Sequence, residues 1–128
     1  MLKDFKDWFT LKPKIHNEKV RPHFREQEIW FGALGTNVGF EQDGRGDKFL
    51  RPVIILRKFN QEIFLGIPLT GSEKTGKYYY AFSFKKGIIS AAILSQVRLL
   101  DAKRLYYKAG WMDKKDFAEL KKRLKALI

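Results

Sequence analysis

The 128-residue sequence contains no cysteine. It therefore has no disulfide framework, no thiolate zinc site and no cysteine nucleophile, and the absence suits a reducing cytoplasm. Histidine is nearly missing too. His16 and His23 both fall in the N-terminal stretch, which argues against a histidine acid–base pair or a histidine metal site in the folded core. Long apolar runs are absent. The longest nearly apolar stretch, residues 88–94, is far below the roughly 18–20 residues of a membrane-spanning helix. Asp4 and Asp7 interrupt the N-terminus where a signal peptide needs an unbroken apolar segment. Neither the phosphate-binding loop pattern nor the dinucleotide-binding glycine pattern occurs, and GRGDKF is too short for the former. These absences predict a cytoplasmic protein with no membrane association and no cofactor.

What the sequence has in excess is positive charge. Lys and Arg number 26 against 14 Asp and Glu, a net charge of +12. Such a charge predicts an anionic partner rather than a fold. The ends carry most of it, net +4 over residues 1–25 and +5 over 101–128, against +3 for the 75 residues between. A hydrophobic fraction of 45% is a folding composition.

Leu2, Phe5, Trp8 and Phe9 lie at helical spacing, so residues 2–10 predict a short amphipathic helix, followed by a linker between Pro13 and Pro22. Residues 1–25 thus read as a helical extension and linker, and residues 26–128 as the folded domain. In that domain, residues 28–34, 51–57, 62–69 and 78–84 read as strands, and residues 88–100 as a further, bent strand. A long polar, glycine-dotted segment, residues 35–48, separates the first two strands; a segment of this length in a small domain is usually functional. Residues 113–128 form an amphipathic helix with Phe117, Leu120, Leu124 and Leu127 as its stripe and Asp113 as its N-cap. The fold class is β-rich (α+β), a small antiparallel barrel closed by a C-terminal helix.

Catalytic possibilities are few. Glu41, Asp43 and Asp47 are acids of a polar loop and read as solvated, so no metal is expected. Arg51 precedes a hairpin turn near Asn60 by nine residues, and Thr70 follows it by ten. An antiparallel hairpin therefore brings the two to the same open end. By themselves they read as readily as a surface arginine and a turn-capping threonine.

The ordered segments EIWFGAL, NVGFEQDGRG, RPVIILRKFN, FLGIPLTGSEKTGK and ILSQVRLLDAKRL resemble the MazF/PemK family of type II toxin–antitoxin toxins over residues 26–128. The most specific parts are Gly39-Phe40-Glu41-Gln42 ahead of Arg51-Pro52, and Gln96-Val97-Arg98 leading to Asp101 and Arg104-Leu105. The resemblance implies an SH3-like barrel that forms a homodimer, restrained by a cognate antitoxin that the charge predicts to be acidic. It implies a metal-independent, sequence-selective endoribonuclease cleaving single-stranded RNA to a 2′,3′-cyclic phosphate and a 5′-hydroxyl. Arg51 and Thr70 fall on the family's catalytic Arg and Thr. Glu41 and Gln42 fall on the loop pair near the active site, and Gln96 on a motif position close to RNA. Phe40, Arg57 and Arg98 are further RNA-binding candidates, one aromatic face and two cations.

Three departures stand out, the first being residues 1–25, an extension that many short members lack. Phe40 replaces the Ser or His commonly found before Glu-Gln. Ser95 stands where some members have an acidic residue, which removes one candidate general base and leaves Glu41 as the carboxylate to test. Fold likeness extends to gyrase-poisoning toxins, so a non-catalytic toxin, or an SH3-like module that binds RNA without cutting it, are the alternatives.

Overall fold

The computed structural model describes residues 21–35, 50–72 and 74–128. The expected N-terminal helix, residues 2–10, lies outside them. Among the described residues seven strands run β1 (Glu28–Ala33), β2 (Leu50–Lys58), β3 (Ile63–Thr70), β4 (Tyr79–Lys85), β5 (Ile88–Ile93), β6 (Arg98–Asp101) and β7 (Leu105–Trp111), and helix α1 (Lys114–Leu127) follows. The sheet is antiparallel in the order β4-β5-β3-β2-β1-β7, with β6 also paired to β3. It curls so far that its two ends meet: a Cβ on Gly110 of β7 would stand 3.0 Å from the Phe84 ring of β4. The β-rich, barrel-like architecture with a terminal helix is the one the sequence predicts.

The near-continuous apolar run of β2 is explained by burial on both faces. Ile54 and Leu56 belong to one core with Ile29, Ile67, Leu69, Phe82 and Met112, which α1 covers through Phe117 and Leu120. Val53 and Ile55 point the other way, into a second core with Phe24, Trp30, Phe64, Leu100 and Leu105. On β4 the alternation lines up Tyr80, Phe82 and Phe84, with successive ring centroids 6.2 and 6.0 Å apart. Helix α1 starts where expected: the Asp113 carboxylate accepts from the Asp116 amide at 2.8 Å.

Two expectations are corrected. Residues 88–100 are not one bent strand. A 3-10 turn, Leu94–Gln96, divides them, burying Leu94. Its extra residues let the chain step from pairing with Leu69 and Thr70 to pairing with Ile63–Gly66 along the same edge of β3. Strand β7 was not anticipated; it pairs with β1 and forms one end of the sheet.

Residues 21–25 pack on the barrel. Phe24 is fully buried, tilted against Phe64 at 5.3 Å. The Lys58 ammonium donates to its carbonyl at 2.8 Å and lies 4.4 Å from its ring centroid. Arg21 donates to both carboxylate oxygens of Asp101, at 3.1 and 3.2 Å. Gln27, with φ at +83°, then turns the chain into β1, held there by Ile55 and Met112 through backbone and side-chain hydrogen bonds. We expect Phe24→Ala to cost about 3–5 kcal/mol in urea unfolding, the usual penalty for emptying a buried aromatic site. A loss under about 1 kcal/mol would show that Phe24 contributes little to the core.

Candidate active site

The β2–β3 hairpin sets the geometry. Its ladder runs from Lys58 opposite Phe64 to Val53 opposite Pro68, with one irregularity between Ile55 and Arg57. Continued by two residues, the same register places Arg51 across from Thr70. On the other side of β2, Arg51 pairs with Gly32 of β1, and Gly32 with Leu105 of β7; Thr70 pairs with Ala91 of β5. Arg51 and Thr70 therefore lie side by side at one end of the sheet. Two-residue alternation puts Arg51 on the side of Val53 and Ile55, the face opposite α1. The lysines of the helix accordingly sit behind this end.

Thr70 is oriented locally. Its hydroxyl oxygen accepts from the Ser72 amide at 3.2 Å, and the hydroxyl approaches the Ser72 Oγ at 3.5 Å. This is the turn-capping role that its position at a strand end suggested. The amide engages one of the two oxygen lone pairs, and the hydroxyl proton has only the long 3.5 Å contact to Ser72, so the hydroxyl can turn to donate to an incoming oxygen.

Arg104 belongs to a sequence motif, but the sequence alone does not place it in the site. The Asp101 side chain accepts from the Lys103 amide at 2.7 Å and thereby caps the 3-10 turn Ala102–Arg104. From that turn, Arg104 Nη1 reaches back to donate to the Ala33 carbonyl at 2.9 Å. Its own carbonyl packs on Gly32, where a Cβ would come within 3.1 Å, so a larger residue there would push the Arg104 backbone away by a few tenths of an ångström. The end of β1 is clamped beside Arg51.

Partial burial pushes the Asp101 carboxyl upward. The Arg21 hydrogen bond, the Lys103 amide and the positive charges of both residues outweigh that burial and hold it below its ordinary value. This clamp therefore contributes stability at neutral pH and loses it as pH falls through the carboxylate range. At the opposite end of β1, burial likewise raises Glu28, while hydrogen bonds from Trp30, the Arg25 amide and Lys108 bring it below its usual value.

Phe40, Glu41 and Gln42 lie outside the described residues. The flanks of their segment are described: Ala33 and Leu50 are directly paired, so β1 ends and β2 begins beside Arg51. Gln96 is exposed on the 3-10 turn. Arg98 stands opposite Gly66 on the outer edge of β3, partway down the sheet. Arg57 is not brought to this end. Six residues along β2 from Arg51, it lies about 20 Å away at the usual strand rise. Trp30 is buried, whereas Phe31 is partly exposed and stacks on Tyr107 at 5.0 Å. Among the described residues no group of three or more His, Asp or Glu is placed to hold a metal ion, and no helix is long and apolar enough to cross a membrane.

A sequence profile described as "PemK-like, MazF-like toxin of type II toxin-antitoxin system" matches residues 25–128. The chain belongs to this toxin family. No curated protein matches it in sequence. Solved structures of the same fold include a MazF from Deinococcus radiodurans, at 16% identity and a TM-score of 0.60, covering 85% of this chain and 97% of that one. The Mycobacterium tuberculosis toxin MazF-mt6 shares 12% identity at a TM-score of 0.59, covering 77% and 93% of the respective chains. An endoribonuclease in complex with its cognate antitoxin, from a mycobacterial species, shares 10% identity at a TM-score of 0.61, covering 81% and 93%. At these identities the likeness is one of fold.

Within this family member, Arg104 has a role that can be measured. We expect Arg104→Ala to accelerate amide hydrogen exchange at Gly32, Ala33 and Leu34 by about tenfold, with a stability loss of about 1–2 kcal/mol. Unchanged exchange at these amides would mean that the Arg104–Ala33 bond does not hold the end of β1.

Proposed function

We propose that this toxin is a sequence-selective, metal-independent endoribonuclease of single-stranded RNA, active as a homodimer and restrained by an acidic antitoxin. The observation that carries this reading is the placement of Arg51 next to Thr70, beside both ends of the segment that bears Glu41 and Gln42. Family membership supports it, as does a structure of similar fold described as an endoribonuclease in complex with its cognate antitoxin.

The chemistry follows from what each group can do. The 2′-hydroxyl attacks the adjacent phosphorus, the bond to the 5′-oxygen breaks, and a 2′,3′-cyclic phosphate and a 5′-hydroxyl result. This requires a proton removed from the 2′-oxygen, charge stabilised on the phosphorane, and a proton delivered to the 5′-oxygen. A guanidinium meets the second requirement, being planar, permanently charged and able to engage two phosphate oxygens. With a pKa above about 12 it is a poor base. Thr70, its oxygen already accepting from Ser72, donates to a phosphate oxygen. Glu41 is assigned the base, and water supplies the proton that the leaving 5′-oxygen takes up. Single-stranded RNA approaches along cations and exposed aromatic faces, and Gln42, Phe40, Gln96 and Arg98 are the assigned contacts. A homodimer would carry twice the +12 charge of one chain, which draws in an acidic, initially unfolded antitoxin tail.

Arg51→Ala should lower RNA cleavage in EDTA by at least about 10²–10³-fold, the usual loss for a transition-state donor, with an unchanged melting temperature. Thr70→Ala should retain partial activity. Cleavage by Arg51→Ala at the wild-type rate would refute the assignment. Growth arrest by the wild-type protein without RNA cleavage would favour the non-catalytic alternative.

A further inference from the structure

Arg21 and Phe24 stand ahead of the residues matched by the family profile, yet both are built into the face of the sheet that bears Arg51. Phe24 belongs to the second core together with Ala102 and Leu105, the two buried residues that bracket Lys103 and Arg104 where the chain crosses from β6 to β7. Arg21 holds the same crossing from outside: Nε and Nη2 donate to the two carboxylate oxygens of Asp101, at 3.1 and 3.2 Å. The Asp101 Oδ1 also accepts from the Lys103 amide at 2.7 Å, so one carboxylate joins Arg21 to the 3-10 turn. The Ala102 amide donates to the Glu62 carbonyl at 2.8 Å and fastens the start of that turn to β3's entry. Its far end delivers Arg104 to the Ala33 carbonyl, and Leu105 to Gly32, the residue paired with Arg51.

We propose that Arg21 is a positioning residue for RNA cleavage, acting through Asp101 and Arg104 on the end of β1 that pairs with Arg51. The inference rests on the endoribonuclease reading. A partly exposed ion pair by itself contributes little, but this one is two-pronged and its carboxylate has a second task. Without the guanidinium the half-buried Asp101 charge loses its main partner and swings toward water, and the Lys103 amide loses its acceptor. Arg104 then reaches Ala33 from a loosened turn, and Gly32 and Arg51 move with it. A lysine at position 21 would keep the charge, and with it the attraction of Asp101 and of the nearby Glu62, but not the paired donors. The effect falls on the chemical step: the charge that Arg51 meets develops only in the transition state, whereas bound RNA is held by contacts spread along the strand.

The test measures amide hydrogen exchange, and steady-state cleavage of an RNA fragment containing one wild-type cut site, for the full chain and its Arg21→Ala, Arg21→Lys, Asp101→Asn and R21A/D101N variants. Arg21→Ala should lower kcat about tenfold while KM stays within about twofold. It should speed exchange at Lys103, Gly32, Ala33 and Leu34 by about threefold or more, with Leu120 of α1 unchanged. Arg21→Lys should fall between Arg21→Ala and wild type. R21A/D101N should be no slower than Asp101→Asn alone, since the two residues act as one unit. Wild-type kcat in Arg21→Ala, a loss confined to KM, equal acceleration of exchange at Leu120, exchange that rises at Lys103 but not at residues 32–34, or full additivity of the two substitutions would each overturn the proposal. Should Asp101→Asn not fold, the two Arg21 variants decide by kcat and exchange alone. A wild-type chain that cleaves no RNA refutes the endoribonuclease reading and the positioning role together; cleavage by wild type with unaltered Arg21→Ala kinetics refutes the positioning role alone.

Discussion

The structure depends on burying β2 from both sides. Ile54 and Leu56 fill one core and Val53 and Ile55 the other, so a slip of one residue would exchange the two sets and misfit both. The register is fixed in consequence. Gly66, opposite Ile55, tightens it: a Cβ there would stand 2.8 Å from both Phe64 and Val53, so neither side chain can be displaced cheaply. Arg51 and Thr70 project from the end of this pinned hairpin. The two groups that the proposed reaction sets against a phosphate are thus mounted on a hairpin whose register is fixed.

Net charge alone does not describe how the protein meets its partners. Some cations are spent internally: Arg21 secures the N-terminal approach to Asp101, and Lys108 ties β7 to Glu28. Others separate by position. Arg104 bonds the end of β1 beside Arg51, which lies on the face opposite the helix, while Arg57, Lys121 and Lys125 line an apolar groove on the helix side. One basic surface is polar and lies beside Thr70; the other has a leucine floor. Their different surroundings suit different anions.

Much of this was legible in sequence, for identifiable reasons. Apolar runs and turn residues located β1 to β4, and counting from the turn placed Arg51 and Thr70 at one end. The 3.6-residue stripe and Asp113 defined α1. Strand β7 escaped because, as the end strand of the sheet, it exposes Tyr106, Tyr107 and Lys108 in succession, and so lacks the alternation that marks a half-buried strand. The break at Leu94 escaped because the apolar run continues through it; the cause is a change of pairing partner along β3, which is non-local. Phe24 sat between Pro22 and charged residues, and only the tertiary fold buries it. Arg57 was grouped with Arg51 by type, although strand rise separates them. Arg104 was visible as motif, but its bond to Ala33 spans 71 positions and no local pattern announces it.

On the proposed reading, the Arg51 end of the sheet cleaves RNA by internal attack of a 2′-hydroxyl. The most direct measurement is mass spectrometry of the products from a cleaved RNA and from the same RNA carrying a single 2′-deoxy nucleotide on the 5′ side of the scissile phosphate. The first should yield 2′,3′-cyclic phosphate and 5′-hydroxyl ends, and the second should stay intact. Cleavage of the deoxy-substituted RNA at that bond, or 5′-phosphate ends from either substrate, would contradict it.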